Sequence, residues 1–167
     1  LNADDPLVTK FSLNKKNKIT YYGLKENKYS TKKNKIDTLD LAYCPKCHKK
    51  LIFDYFNYGN LGYYHRPNHD YDRPNCDFEA TLLKDKFQVE DVTIKLNNDA
   101  LYNVYNMLAC YAVARVDNVK KEDIVDSLNQ LSLKVKRLNE FKINDNKGFI
   151  LLSKNETPLS YNQSLEY

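Results

Sequence analysis

Leu101, Val104, Tyr105, Leu108, Ala112, Val113 and Val116 recur at steps of three and four residues, the spacing of a helix that lays one face on a core. The pattern predicts an amphipathic helix, with Asp99 as its N-cap because a short carboxylate can accept from the first free backbone N–H groups. Ile124, Val125, Leu128 and Leu131 repeat the period and predict a second helix over 119–131. Elsewhere the period shortens. "KITYYGL" at 18–24 is β-branched and aromatic and predicts a short strand. "EFKIN" and "KGFILLS" predict a strand pair turning at 146–148. At the start, "LNADDPLV" reads as a strand exit into a turn. Asn2, Asp4 and Asp5 are expected to bond the local backbone there, and Pro6 to block the ladder. Strands and helices in this order predict an α/β class.

Residues 41–80 break the pattern. They are rich in Tyr, Cys, His and Pro, have no helical period and read as an insertion. A chain of 167 residues is long enough to bury a core without disulfides, so one domain carrying an insertion is expected. Its 26 basic and 22 acidic residues leave a net +4, too mild to argue for a nucleic acid or a membrane surface. The positive charge is local, since residues 10–36 hold nine lysines and a single acid, Glu26; such a run reads as a solvated face. No run of eighteen or more apolar residues occurs, and the N-terminus lacks the flanks of a signal peptide, so a soluble, cytoplasmic location is expected. A chain that opens on Leu1, at what reads as a strand end, is expected to be a segment of a longer protein. The internal repetition is local: Arg66-Pro67-Asn68 is echoed by Arg73-Pro74-Asn75.

Four cysteines, two of them in Cys44-Pro45-Lys46-Cys47, lie close to three histidines, which favours metal binding over a disulfide framework. A Cys-x-x-Cys turn presents two thiolates to one tetrahedral Zn²⁺, and Pro45 helps to pre-set the loop. His65 and His69 have a spacing known from zinc sites and are the favoured second pair, with Cys76 the alternative to either one. His48 is expected to be exposed or to support the site from outside. The competing reading is a ribbon without metal, held in shape by packing of Tyr63, Tyr64 and Tyr71.

Taken in order, "LNADDPLV", "ITYYGL", a ribbon with "CPKC", "LGYY", "RP" and "DF", then "LYNVYNMLACYAVA", "KRLNEF" and "KGFILLSKNETPLSYNQSLE" resemble the Mur-ligase family over nearly the whole chain. The ribbon after the "YYGL" strand makes the resemblance specific to the members that amidate lipid II. It implies part of a Mur-ligase middle domain, a mostly parallel sheet with helices, carrying an inserted small β zinc ribbon. Middle-domain strands and a basic loop would fill 1–40, the ribbon 41–80, middle-domain helices and a strand 81–147, and the start of the C-terminal ligase domain 148–167. Asp4 and Asp5 would lie near the strand ends where α/β ligands bind. Asn103 and Asn106, three apart on the helix, would read the edge of adenine, and Arg137 would approach the phosphates. Lys136 and Asn139 depart from the family's Gly-Arg-x-Glu pattern, and Arg66 and His69 occupy the places of the ribbon's last two cysteines.

The glycines, at 23, 59, 62 and 148, are never followed by Lys-Ser or Lys-Thr, so no phosphate-binding loop lies in this stretch and no catalytic residue is assigned. The implied activity is an ATP-dependent amide ligase using ATP and Mg²⁺, with structural Zn²⁺ in the ribbon. With a GatD-like glutaminase subunit it would convert the D-glutamate of lipid II to isoglutamine at the inner membrane face, without nucleic acid. The alternative is a non-enzymatic zinc-ribbon module that binds nucleic acid through the lysines and tyrosines. Asp70, Asp72 and Asp77, interleaved with those residues, weigh against it.

Overall fold

The computed structural model describes residues 1–33, 43–67, 70–96, 100–131, 138–144 and 146–151. They fall into two units, residues 1–130 and 131–167. In the first, Pro6–Thr9 (α1) forms one helical turn, continued by a 3₁₀ turn at Lys10–Ser12. Pro6 therefore starts a helix, the position where its missing N–H costs nothing. The expected strand at 18–24 is reduced to Tyr22–Leu24 (β1). Phe78–Leu82 (β4), Lys86–Val89 (β5) and Val92–Lys95 (β6) join it in a sheet of order β1-β4-β5-β6.

β1 pairs parallel with β4, Tyr22 opposite Phe78 and Leu24 opposite Ala80, and Asn2 adds a parallel bridge to Tyr22. The other pairs, β4–β5 and β5–β6, are antiparallel. A mostly parallel sheet is thus corrected to a mixed one among the described residues. The physical reason is loop length: residues 83–85 and 90–91 are hairpin connections, far too short for the crossover a parallel pair requires.

Leu101–Val116 (α2) and Lys121–Asn129 (α3) pack on this sheet. Leu24, Ala80, Phe87, Val89 and Ile94 meet Leu101, Val104, Leu108, Tyr111, Ile124 and Leu128 in one core. The α2 face differs from the predicted stripe. Val113 and Val116 are 62% and 54% exposed, and Met107 and Tyr111 are buried instead. The Tyr111 hydroxyl donates to Glu90 in the β5–β6 turn at 2.5 Å, and this anchor favours the face that turns Val113 outward. The N-cap is Ala100, extended and without a side-chain cap; Asp99 lies outside the described residues. Leu131, expected on the inner face of the second helix, lies beyond its end and is 43% exposed.

The chain between β1 and β4 forms the insertion. A Tyr43–Lys50 bridge brackets the cysteine turn, and Ile52–Tyr58 (β2) and Leu61–His65 (β3) make a twisted antiparallel hairpin that turns at Gly59, φ 56°. Cys44, Leu51, Tyr64 and Tyr71 form a small second core. The Thr9 hydroxyl bonds both tyrosine hydroxyls, at 2.5 Å to Tyr64 and 2.8 Å to Tyr71. This fixes the insertion on α1. In the second unit, Leu138–Ile143 (β7) and Asn146–Leu151 (β8) pair antiparallel. Their turn begins at Asn144, φ 54°, ahead of the predicted 146–148. The expected boundary at 147/148 falls inside β8.

Candidate functional site

Asp4 is fully buried, although its sequence context predicts only local turn bonds. Asn2 and Asp5 behave as predicted: Asn2 Oδ1 accepts from the Asp4 N–H at 3.0 Å, and Asp5 caps α1 by accepting from Leu7 and Val8. Asp4 instead turns inward and receives three donors. Leu24 N of β1 donates at 2.9 Å, Tyr105 Oη of α2 at 2.6 Å, and Arg73 Nε of the insertion at 2.6 Å. Arg73 also donates to Glu79 on β4 at 3.2 Å and lies 5.3 Å from the Tyr63 ring centroid. Gly23 makes room for this pair, since a Cβ there would lie 2.6 Å from both Arg73 Nη2 and Asp4 Oδ1.

Burial pushes the Asp4 carboxyl above its ordinary range, while Arg73, Tyr105 and the Leu24 N–H pull it back. Burial works against the Arg73 charge, but Asp4 and its other acidic neighbours more than offset this and secure the cation. Cys76, beside Gly23 and Arg73, is pushed up to about 12 mainly by burial and is a neutral thiol. With its oxygens already engaged by three donors, Asp4 does not fit the role of a Mg²⁺ ligand. It is a junction of sheet, helix and insertion. Asn57 of β2 supports the same junction, donating to Leu24 O at 2.9 Å and accepting from Asn27 and Ser30.

The cysteine turn has the shape of a metal knuckle. Lys46 N–H and Lys49 N–H point at the Cys44 and Cys47 sulfurs at 3.4 and 3.5 Å, and His48 N–H closes the loop on Cys44 O at 2.8 Å. Cys44 is buried and Cys47 exposed; His48, at φ 59°, is exposed. Of the expected second pair, His65 lies within the described residues. His65 faces Asp54, with Nε2 at 3.5 Å, and its Nδ1 lies 3.3 Å from Arg66 O. Cys76 belongs to the Gly23 cluster, and His69 lies outside the described residues. Among the described residues no three His, Cys, Asp or Glu side chains gather as a metal site. The turn itself offers two thiols, Cys44 and Cys47, to a tetrahedral Zn²⁺.

On α2 the two asparagines differ. Asn103 is buried, with its amide 3.6 Å from Met107 Sδ, whereas Asn106 is exposed. Arg137 lies outside the described residues. The lysines at 10, 15, 16, 18, 25, 28, 32 and 33 are exposed, with Lys25 and Lys32 near Glu79 and Glu26. Sequence reasoning missed Arg66, Arg73, Tyr105 and Asn57. The signal available was the repeated Arg-Pro-Asn: both of its arginines are buried, in a chain with 26 basic residues of which only four are arginine. No helix among the described residues is long and apolar enough to cross a membrane.

No family model matches the chain. Over 171 residues, 99% of this chain, it is 30% identical to the MurT subunit of lipid II isoglutaminyl synthase (glutamine-hydrolyzing) of Staphylococcus aureus strain COL. It is 28% identical over 172 residues to the corresponding subunit of Streptococcus pneumoniae strain ATCC BAA-255 / R6. The chain spans 37% of the length of these relatives. A solved pseudomurein peptide ligase type C from Methanothermus fervidus aligns with a TM-score of 0.68 and 27% identity, covering 84% of this chain and 28% of that one. The likeness to Mur ligases read from the motifs is shown across the whole chain.

Proposed function

We propose that this chain, similar over its whole length to MurT, serves as the corresponding segment of an ATP-dependent amide ligase that amidates the D-glutamate of lipid II to isoglutamine. The observation that carries this reading is the 30% identity to MurT along 99% of the chain, supported by a peptide-ligase fold at a TM-score of 0.68. In this reading ATP and Mg²⁺ are the cofactors. A GatD-like glutaminase supplies ammonia, and the reaction takes place at the cytoplasmic face of the membrane that holds lipid II. Asn106, exposed on α2, donates to and accepts from the adenine edge. Arg137 pairs with phosphate oxygens, for which a planar guanidinium is suited. Asp4 acts at one remove, by holding α2 on β1 through Tyr105 and Leu24.

The test is a transplant. Residues 1–167 replace the matching stretch of the Staphylococcus aureus MurT, and glutamine-dependent conversion of lipid II is followed by mass spectrometry with the glutaminase present. The folded chimera is expected to be active. Asn106→Ala in it is expected to raise the KM for ATP by roughly 5- to 150-fold, the equivalent of about 1–3 kcal/mol for a lost buried hydrogen bond. A folded chimera without activity would overturn the reading.

A further inference from the structure

We propose that the lysines around the 3₁₀ turn at Lys10–Ser12 and those of the cysteine turn form one docking surface for an anionic lipid membrane, with Phe11 as the side chain that enters its headgroup layer. The two stretches are distant in sequence, and one small core brings them together. Thr9 bonds the hydroxyls of Tyr64 and Tyr71, and Leu13 packs against the cluster of Cys44, Leu51, Tyr64 and Tyr71, so the 3₁₀ turn is held on that core from both ends. The Lys15 N–H donates back to Ser12 O at 3.2 Å, which keeps Lys15 beside the turn. Cys44 and Leu51 belong to the same core and bracket residues 45–50. Lys10, Lys15 and Lys16 thus surround the same side chains as Lys46, Lys49 and Lys50, and all six are exposed. Residues 10–20 and 43–53 contain no Asp or Glu. Asp70 reaches this side by accepting from Lys46 Nζ on its carbonyl at 3.2 Å, and its carboxylate is ion-paired with Arg66.

A lysine run read along the chain is a solvated face. The fold adds a second set of lysines on the same core, with apolar side chains standing among them. Phe11 is 63% exposed and Tyr43 55%; Lys10 Nζ lies 5.4 Å from the Phe11 ring centroid, and Tyr43 bridges to Lys50. Clustered cations beside an outstanding aromatic ring suit an anionic headgroup layer: the lysines are attracted by its surface potential, and the ring leaves water at headgroup depth. The cations here are all lysine. A compact, hydrated ammonium serves diffuse attraction to many headgroups, whereas the planar fork that grips one phosphate or carboxylate belongs to arginine, and Arg66 and Arg73 are buried. This favours a lipid surface over a nucleic acid or an acidic protein. The choice of partner also rests on the reading of the chain as part of a lipid II ligase, whose substrate is held in a membrane.

The full chain is mixed with vesicles of about 30% phosphatidylglycerol in phosphatidylcholine, or of phosphatidylcholine alone, and the bound fraction is measured by flotation at about 0.1 M and about 0.5 M NaCl. Binding to the anionic vesicles is expected to exceed that to the neutral ones by about tenfold or more and to be lost at the higher salt. Replacing Lys15, Lys16, Lys49 and Lys50 together by Gln is expected to weaken it by about tenfold or more. The same loss of charge at the exposed Lys84, Lys86, Lys95 and Lys120 is expected to weaken it by less than about twofold. The chain has no tryptophan, so Phe11→Trp places a single indole on this surface, and its emission is expected to shift to the blue with anionic vesicles only. Equal binding to both kinds of vesicle, equal weakening by the two quadruple variants, or an unshifted indole would overturn the proposal. Tighter binding to single-stranded poly(U) or to polyglutamate, each added as a competitor, would also overturn it and assign the surface to a nucleic acid or an acidic protein. The vesicles hold no lipid II, so failure here leaves the activity of the MurT chimera untouched, and an inactive chimera leaves vesicle binding untouched.

Discussion

Gly23 and Gly62 both stand where a side chain has no room, yet their neighbours differ in what they can do about it. A Cβ on Gly62 would lie 2.1 Å from the carbonyl oxygen of Tyr55, which is held in the β2–β3 ladder. A Cβ on Gly23 would meet the ends of the Arg73, Asp4 and Cys76 side chains at 2.6 to 2.8 Å. Gly23→Ala is therefore expected to cost about 1–3 kcal/mol, in the range of an overpacked core. Gly62→Ala is expected to cost more, because backbone must move. Urea unfolding of the two variants compares them, and an equal or smaller loss for Gly62→Ala would contradict the argument. Arg73→Met addresses the charge instead, leaving Asp4 buried without its guanidinium at an expected cost of about 3–5 kcal/mol. The same unfolding measurement checks it, and a loss below about 1 kcal/mol would show that the pair carries little. None of this was legible in the sequence. "NADDP" marked Asp4 and Asp5 as turn formers, and the bonds that separate their roles come from Leu24, Arg73 and Tyr105, which lie 20, 69 and 101 residues away.

The element with the clearest sequence signature, α2, shows what periodicity can and cannot fix. Its existence and length follow from the spacing of apolar residues, but its rotation is set by partners outside the helix. Tyr111 and Arg115 both donate to Glu90, at 2.5 and 3.0 Å, and Lys121 of α3 pairs with Asp91 of the same turn. A stripe of apolar letters contains no record of that turn, so Val113 and Val116 were placed on the wrong side. The tie also has a pH signature. The Tyr111 hydroxyl first, and Arg115 with it, hold the Glu90 carboxyl below its ordinary value of 4.5. Because the folded pKa is the lower one, the stabilisation is complete above the unfolded value and is lost as the pH falls through the folded one. Glu90→Gln is thus expected to lower the thermal midpoint near neutral pH and to flatten its decline between about pH 5 and pH 3. Parallel melts of both proteins across that interval test this, and unchanged steepness in the variant would remove Glu90 as a source of the acid sensitivity.

At the scale of the molecule, the block between β1 and β4 is more than an appendage because Asp4 is shared. The insertion reaches it through Arg73, the sheet through Leu24 and helix α2 through Tyr105, so three parts distant in sequence meet on one carboxylate. The sequence announced some of the parts: the α/β class, both helices and the terminal hairpin were legible from period and composition. Their junction was not, since an Asp, an Arg and a Tyr at unrelated positions carry no mark of facing one another. The mixed character of the sheet was equally hidden behind the motif order and shows only once the short turns at 83–85 and 90–91 are counted. A shared carboxylate predicts non-additivity. Tyr105→Phe alone leaves Asp4 with Arg73 and Leu24, and Arg73→Met alone leaves it with Tyr105 and Leu24. In the double variant the buried charge retains a single donor, the Leu24 N–H, so the two losses should couple by about 1–3 kcal/mol, as expected for residues in one hydrogen-bond network. A double-mutant cycle measured by urea unfolding gives this term directly. Additivity within about 0.3 kcal/mol would mean that this block and the helix stand on the sheet independently. With the coupling present, Arg73→Met in the MurT chimera should also weaken ATP use, although Arg73 lies on the insertion and not on the helix proposed to meet the nucleotide. The path runs through Asp4 and Tyr105 to α2, where Asn106 stands a single residue beyond Tyr105.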